Sequence, residues 1–216
     1  MAASLRGLDI TVAQVWHVAN LFLCSLRGVI AVATQPKVIV FTGLPGTGKS
    51  TLAEHVARTL GAPAFATDWL MGGLKPAHAA LSTLDRSQYL AACYGLIETL
   101  ITRQLMLGQS AVVDDLVRDS EVAQWCKVAA HFSARLLLIE CVCSDERIHR
   151  ARIEGRTRGI AGWHEIGWEH VERMRAEFPP LTADRLIVDA IEPVEGNIQR
   201  VLDHIAPPRF PSSDIR

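Results

Sequence analysis

The sequence lacks the compositional biases that are typical of membrane, extracellular and nucleic-acid-binding proteins. Its 22 basic and 23 acidic residues nearly cancel, so charge alone predicts neither a nucleic-acid partner nor a membrane surface. The five cysteines include no CxxC pair, and an odd count without framework spacing favours reduced thiols in a cytoplasmic protein. Cys141 and Cys143 lie in one apolar run, where packing in the core is expected more than a redox or metal role.

Long apolar runs are also missing, even where apolar residues are frequent. Polar and charged residues interrupt the apolar side chains of residues 8–33, and no uninterrupted stretch approaches the length of a membrane-spanning helix. The charged start of a signal peptide is lacking as well. We expect residues 1–35 to form an amphipathic helical extension outside the main domain. The alternative is a functional chain that begins near Val29 or Val32.

The sequence is instead rich in short apolar runs. Apolar residues make up 49% of the 216 residues, enough for one domain with a full-sized core. The clearest runs are Lys37–Thr42, Ala111–Val113 and Arg135–Val142, and helical segments separate them. Alternating strands and helices predict a parallel sheet with helices on both faces. We predict this three-layer α/β domain over residues 36–206, with a loose tail over residues 207–216.

Weaker runs and helical periodicity complete the predicted order of elements. Ala64–Thr67 is a weaker strand that ends at Asp68, and Leu186–Val188 is the last strand, so the predicted sheet has five strands. Apolar periodicity predicts helices at residues 49–60, 85–107, 121–132, 145–153, 165–178 and 195–205. Ligands of parallel sheets collect at the carboxyl ends of the strands. The polar residues that follow each run are therefore the candidates for chemistry.

One glycine-rich segment, residues 43–50, reads GLPGTGKS and matches the spacing G-x-x-x-x-G-K-S of a phosphate-binding loop. Its glycines let the backbone curl so that N–H groups converge on phosphate oxygens, and the following helix adds its positive end. Lys49 supplies a charge for the β and γ phosphates, and the Ser50 hydroxyl is placed to ligate Mg²⁺. The segment predicts a P-loop NTPase fold with ATP and Mg²⁺ as cofactors. The predicted nucleotide contacts are Gly43, Leu44, Pro45, Gly46, Thr47, Gly48, Lys49, Ser50 and, more weakly, Thr51.

The signatures of two large phosphate-loop classes are absent from the sequence. No Asn-Lys-x-Asp segment is present, which disfavours a GTPase. No Leu-Ser-Gly-Gly-Gln-like segment is present either, which disfavours a transporter ATPase. What remains is a compact enzyme whose acceptor pocket lies beside the loop.

Three further segments complete a pattern: Asp68 after a short strand, VVDD at residues 112–115, and the arginine-rich RIHRARIEGRTR at residues 147–158. Together with GLPGTGKST, this pattern resembles small P-loop phosphotransferases of the gluconate-kinase-like, chloramphenicol-phosphotransferase-like and zeta-toxin-like groups. The VVDD segment with the tryptophan-containing helix after it is most similar to the chloramphenicol phosphotransferase pattern. The resemblance covers about residues 37–205. It implies transfer of the γ-phosphate of ATP to a hydroxyl of a small molecule.

The aspartates are the candidates for proton transfer and metal binding. In the resembling kinases an aspartate at the position of Asp68 faces the acceptor hydroxyl, and a carboxylate there can accept the hydroxyl proton. The alternative for Asp68 is a helix cap. Asp114 and Asp115 follow the third strand, and we expect at least one of them to hold Mg²⁺, with Asp114 slightly ahead as the last strand residue. The alternative for this pair is a solvated turn.

Five arginines lie within twelve residues and predict a lid over the nucleotide. Guanidinium groups meet the charge of a transferring phosphoryl group with forked donors, and a closing lid excludes water. The candidates are Arg150, Arg156 and Arg158; the alternative is a solvated basic helix. The rings of Trp163, His164, Trp168 and His170 follow the arginines. They could line an acceptor or adenine pocket, but core packing is favoured.

The predicted function is therefore that of an ATP-dependent kinase of a small-molecule alcohol, with no nucleic-acid or membrane partner. The alternatives are a toxin-like kinase of a nucleotide sugar, a resistance enzyme acting on an antibiotic, and a nucleotide-dependent switch or regulatory ATPase. Asp68 and the arginines favour catalysis, because a switch needs no acceptor base. Residues 69–87 carry no signature that identifies the acceptor, and the sequence gives no oligomeric state.

Overall fold

The structure is a computed structural model that describes residues 35–206. The predicted helical extension over residues 1–35, except for residue 35 itself, and the predicted tail over residues 207–216 lie outside the described residues. Five strands form one parallel sheet in the order β2-β3-β1-β4-β5, which confirms the predicted P-loop NTPase fold class. The strands are β1 (Lys37–Thr42), β2 (Ala64–Ala66), β3 (Ala111–Asp114), β4 (Arg135–Val142) and β5 (Leu186–Asp189).

Helices connect the strands and cover both faces of the sheet. In the described part of the chain they are α1 (Lys49–Leu60), α2 (Thr67–Gly73), α3 (His78–Leu81), α4 (Arg86–Met106), α5 (Asp119–His131), α6 (Glu146–Glu154), α7 (Trp168–Glu177) and α8 (Val194–Ile205). A 3₁₀ turn, Lys75–Ala77, joins α2 to α3. No helix among residues 35–206 has the length and apolar character that crossing a membrane requires.

The central strand β1 shows how the sequence produces three layers. Successive side chains of a strand point to opposite faces, and both faces of β1 are buried, which explains its continuous apolar run. Val38 and Val40 pack in a core with α4 and α5. Ile39 and Phe41 pack in a second core with α1 and α8. The sheet therefore separates two hydrophobic cores.

The predicted bounds agree with the structure where strands are central and differ at the edge of the sheet. β1, α1 and β4 have the predicted bounds. The prediction that Asp68 closes a strand is wrong: edge strand β2 ends at Ala66, and Asp68 lies in the first turn of α2. Within residues 35–206, β2 pairs with β3 alone, over three residues. A carboxylate in the first turn of a helix is favoured by the helix dipole, so the chain turns helical one residue before Asp68.

The cysteines of the apolar run have different surroundings. Cys141 lies on β4 and is buried in the second core, and burial raises its pKa to about 12. Core packing is thus confirmed for Cys141. Cys143 follows the end of β4 and is only half-buried, so the expectation of core packing is wrong for this residue.

Candidate active site

The glycine-rich loop, residues 43–48, connects β1 to α1 with a tightly curled backbone. Gly43, Gly46 and Gly48 have φ angles of 137°, 89° and 81°, a region that side chains with a Cβ rarely adopt. A Cβ on Gly43 would overlap the backbone oxygen of Cys141. The Thr47 hydroxyl donates to the Leu44 carbonyl oxygen at 2.8 Å and closes the loop. The positive φ angles at Gly43, Gly46 and Gly48 therefore favour glycine at all three positions, and at Gly43 the neighbouring backbone also leaves no room for a Cβ.

A buried histidine that the sequence analysis did not single out fixes this loop from outside. His149 on α6 is 2% exposed, and its Nε2 lies 2.7 Å from the Pro45 carbonyl oxygen. Because a carbonyl only accepts, Nε2 donates. The imidazole also meets the ring of Trp168 edge to face at 5.1 Å. Burial lowers the pKa of His149, which favours the neutral ring. The side chain links α6 and α7 to the loop.

A first cavity, named here the loop cavity, has a volume of about 490 Å³. Gly46, Thr47, Gly48, Lys49, Ser50 and Thr51 line one side of it. Arg152, Arg156 and Arg158 line it as well, together with Val188 and Ala190 at the end of β5 and Asn197 on α8. Of the remaining predicted loop contacts, Pro45 faces the passage described below, and Leu44 packs against the core beneath α6.

Asp114 ends β3 beside Lys49. Its carboxylate is 9% exposed, and Oδ1 lies 4.0 Å from Lys49 Nζ. Among the described residues this buried oxygen has no hydrogen-bond partner. A buried carboxylate oxygen without a hydrogen-bond donor is costly unless a cation meets it, and Lys49 lies only at the outer limit of an ion pair with it. Asp114 therefore fits a magnesium ligand, and the Ser50 hydroxyl lines the adjoining loop cavity.

Asp115 has a different environment from its neighbour. Its two carboxylate oxygens accept hydrogen bonds from the Thr67 hydroxyl and, at 2.8 Å, from the Leu116 backbone N–H. Burial raises the pKa of Asp115 to about 7. Since Thr67 begins α2, Asp115 joins the end of β3 to the turn that carries Asp68.

Asp68 forms an ion pair with Arg158 in the loop between α6 and α7. The Arg158 and Asp68 side chains are 18% and 33% exposed, so solvent screens the pair only in part. Arg158 also lines the loop cavity, whereas Asp68 does not. The pair therefore connects the predicted base to the predicted lid.

The other predicted lid arginines differ in position. Arg156 is half-buried, and its Nε is buried without a hydrogen-bond partner in the described chain. Desolvation lowers its pKa, and neighbouring Arg158 acts in the same direction. Arg150 is exposed on α6, pairs with Glu154 at 2.8 Å, and lines neither the loop cavity nor the passage. Arg152, which the prediction passed over, lines the loop cavity and donates to the Ala190 carbonyl oxygen at 2.7 Å.

A second volume of about 520 Å³, named here the apolar cavity, lies between the segment 67–94 and the segment 162–178. A narrow passage of about 70 Å³ borders both cavities. The passage shares Lys49, Arg156 and Arg158 with the loop cavity. It shares Asp68 and Asp115 with the apolar cavity. The charged candidates thus collect between the two volumes.

The aromatic residues after the arginines divide between core and site. Trp168 is buried beneath the loop with Ile153 and Val171, which confirms the core expectation for this residue. Trp163, His164 and His170 instead line both the apolar cavity and the passage, so the core expectation is wrong for them. The sequence offered one signal for this difference: Trp163 and His164 precede the helix, in a glycine-containing loop.

Solved structures of other proteins share this fold. A gluconokinase from Sinorhizobium meliloti 1021 is 18% identical with a TM-score of 0.58, over 78% of this chain and 91% of that one. Kti12 from Chaetomium thermophilum in complex with ADP-AlF3 is 16% identical with a TM-score of 0.53, over 79% and 100%. The APS kinase CysC from Mycobacterium tuberculosis in complex with AMPPNP and APS is 19% identical with a TM-score of 0.51, over 79% and 98%.

A comparison with curated proteins found no match. The model of the AAA domain family matches residues 38–181. This match extends from β1 through the glycine-rich loop, both aspartate segments and the arginine-rich segment, which is more than half of the chain. The chain therefore belongs to the AAA domain family.

Proposed function

We propose that this chain is an ATP-dependent phosphotransferase that moves the γ-phosphoryl group to a hydroxyl of a small molecule. One observation carries the proposal: a passage lined by four acidic residues and two arginines lies between the glycine-rich loop and a separate ligand-sized cavity and borders both. A nucleotide-dependent switch needs the loop but has no need of the second cavity. Proteins of similar fold in complex with ADP-AlF3 and AMPPNP support nucleotide binding.

ATP binds in the loop cavity in this proposal. The curled backbone and the amino end of α1 hold its phosphates, and Lys49 supplies a positive charge. Asp114 and Ser50 would hold Mg²⁺, which would neutralise part of the phosphate charge. Arg156 has a buried Nε without a hydrogen-bond partner among the described residues and a partly desolvated guanidinium group. It is therefore suited to the γ-phosphoryl oxygens, because an anion there can accept from Nε.

Asp68 is the proposed base for the transfer step. The acceptor oxygen attacks the γ-phosphorus, the bond from that phosphorus to the β,γ-bridging oxygen breaks, and ADP leaves. The hydroxyl proton passes to the Asp68 carboxylate and then to solvent. Before that step, Arg158 must leave its ion pair with Asp68. The phosphates of a nucleotide in the loop cavity attract Arg158 away from Asp68. Binding of ATP therefore frees Asp68 to act as the base.

Asp115 acts through other residues in this proposal. Because both of its carboxylate oxygens accept hydrogen bonds from the protein, it positions the first turn of α2 and leaves the metal to Asp114. This assignment narrows the two candidates for Mg²⁺ to one.

A coupled assay of ADP formation tests the proposed function. The full chain is incubated with Mg-ATP and pools of uncharged alcohols, sugars, nucleosides and antibiotics, and the phosphorylated product is identified by mass spectrometry. We expect at least one pool to raise ADP formation above the rate with ATP alone. ATP hydrolysis that no acceptor stimulates, with no phosphorylated product, would favour the switch or regulatory ATPase instead.

A further inference from the structure

The apolar cavity holds information about the acceptor that the phosphotransferase assignment leaves open. Its volume of about 520 Å³ lies within the range of pockets that take drug-sized ligands. Helices α2, α3 and α4 contribute one side, and the segment 162–178 contributes the other. Much of the wall is hydrocarbon or aromatic ring, from Met71, Leu74, Leu84, Leu90, Trp163 and Phe178.

Several polar groups of this wall already have partners within the protein. The Thr67 hydroxyl donates to Asp115. The Tyr94 hydroxyl donates to the Leu116 carbonyl oxygen at 2.6 Å. Each hydroxyl of a free sugar needs a partner when it leaves water, and an unpaired hydroxyl costs free energy on burial. The wall is therefore poorly suited to a polyol that is buried over its whole surface.

The charges around the cavity argue against an anionic acceptor. Arg86 makes two hydrogen bonds of 2.9 Å to the Glu177 carboxylate, which Arg118 also contacts at 3.2 Å, so the Arg86 guanidinium group is already held by the protein. Burial raises the pKa of Tyr89 to about 12 and that of Cys93 to about 11, which keeps both groups neutral at pH 7. Lys75 also lines the cavity, but it lies on the exposed 3₁₀ turn, where solvent screens its charge. An anionic group buried in the cavity would lose its hydration without gaining the full charge of Arg86 in return.

On the basis of the proposed phosphotransferase function, we infer that the acceptor is an uncharged alcohol whose aromatic or alicyclic body fills the apolar cavity. Its hydroxyl group lies toward the passage, because Asp68 lines both volumes. His164 and His170 also line both and offer ring nitrogens that can bond to polar substituents near the hydroxyl. Apolar contacts of the ring body, more than hydrogen bonds to hydroxyl groups, provide the affinity for the acceptor.

Matched pairs of ligands test this inference on the full chain loaded with AMPPNP and Mg²⁺. One pair is phenyl β-D-glucoside and D-glucose, and the other is 3-phenylpropan-1-ol and propan-1-ol; D-gluconate is the anionic probe. Calorimetric titration measures affinity, and radiolabelled ATP in place of AMPPNP measures transfer. We expect the phenyl member of each pair to bind about 10- to 100-fold more tightly, the gain from burying one ring-sized apolar group.

Two leucines provide a matched pair of variants. Leu74 follows α2 with φ and ψ of −85° and 11°, and Leu107 follows α4 with −89° and 2°. Both are partly exposed, at 37% and 52%, but only Leu74 lines the apolar cavity. Leu74→Gln should reduce the preference for the phenyl compounds by about 3- to 10-fold, since it replaces apolar wall with an amide. Leu107→Gln should leave the preference unchanged.

The outcomes separate this inference from the function on which it rests. Equal affinity within each pair, or tighter binding of D-glucose or D-gluconate than of the phenyl compounds, overturns the inference. If those ligands are also phosphorylated, the phosphotransferase function stands. Tight, Leu74-dependent binding of the phenyl compounds supports the inferred ligand class. If no alcohol is phosphorylated despite that binding, the proposed function is what fails.

Discussion

The loop cavity and the apolar cavity are formed by the chain in different ways. The segment 46–52 contributes nearly half of the residues that line the loop cavity, and glycine conformations determine its backbone geometry. The apolar cavity is assembled from side chains that are far apart in sequence, from Thr67 to Phe178. A site built from backbone groups recognises what all nucleotides share, whereas a site built from side chains selects one acceptor. Substitutions in the loop cavity should therefore stop all turnover of ATP. Substitutions in the apolar cavity should alter only the transfer of phosphate to the acceptor.

The largest effect is expected for Lys49→Ala. The variant removes the cation that meets the phosphates, and we expect turnover of ATP to fall about 10³- to 10⁵-fold, the range for loss of one positive group at a transferring phosphoryl. Measurement of ADP formation and of Mg-ATP affinity checks this. Lys127→Ala, at an exposed position of α5, is the matched control. Wild-type affinity for Mg-ATP in Lys49→Ala would contradict the loop assignment.

Asp68→Asn should affect the acceptor side only. An amide keeps the size of the side chain but cannot accept a proton at neutral pH, so the transfer rate should fall about 10²- to 10⁴-fold. Affinity for Mg-ATP should stay within a few-fold of wild type. Single-turnover transfer and nucleotide titration measure the two quantities, with Asp184→Asn at an exposed position as the control. Loss of nucleotide binding in Asp68→Asn would place this residue on the loop side.

Asp114→Asn should give the opposite result. Its Oδ1, which accepts no hydrogen bond among the described residues, is the proposed magnesium ligand. Replacement should therefore weaken the apparent Mg²⁺ affinity by at least the roughly 10- to 100-fold that loss of a residue supporting a metal ligand costs. Titration of Mg²⁺ into the ATP complex measures this affinity. If Asp68→Asn shifts that titration and Asp114→Asn does not, the two roles are interchanged.

The difference between the two cavities also explains which parts could be predicted from sequence. The loop spacing and its flanking strand and helix lie within one short segment, so residues 37–60 were predicted with the observed bounds. Central strand β4 was predicted equally well, because burial on both faces makes its apolar run continuous. The fold class and Asp114 at the end of β3 follow from these local signals.

The apolar cavity could not be predicted because its walls come from several elements. No periodic pattern marked α2 or α3, and the edge strand before them ends two residues earlier than Asp68. Trp163, His164 and His170 point to a site only when the segment 67–94 packs beside them. His149 likewise gains its role only through contact with Pro45, which is 104 residues away in sequence.

His149→Phe tests the connection between the loop and the lid. It keeps an aromatic ring against Trp168 but leaves the Pro45 carbonyl oxygen without its donor. We expect a loss of about 1–3 kcal/mol of unfolding free energy, measured by urea denaturation. His131→Phe, at an exposed position, is the control. An unchanged unfolding free energy would show that the hydrogen bond contributes nothing to the loop.

Wild type and His149→Phe should also differ in how their stability depends on pH, and the sign of this difference follows from the pKa of His149. Burial lowers the pKa of folded His149, whereas the unfolded chain has an ordinary value of about 6.5. The stabilising contribution of the neutral ring is complete above that ordinary value and is lost as the pH falls below it. Between pH 7.5 and 5.5 the melting temperature of wild type should therefore fall more than that of His149→Phe. Parallel curves would contradict a neutral buried His149.

The smallest effect is expected for Arg150→Ala, which lies outside both cavities. Arg150 was as good a candidate as Arg156 in the sequence, because the two share one arginine-rich run. In the structure Arg150 is exposed and pairs with Glu154 one helical turn away, and solvent screens an exposed pair of this kind so that it contributes little to stability.

Arg150→Ala should therefore change the transfer rate by less than about threefold, whereas Arg156→Ala should reduce it far more, since Arg156 borders the loop cavity and the passage. Steady-state transfer rates of both variants, measured side by side, check this difference. A large loss for Arg150→Ala would mean that α6 rotates or moves when nucleotide binds and brings its exposed face over the phosphates. In that case the division between a preformed loop side and a side-chain-built acceptor side would hold only for the nucleotide-free chain.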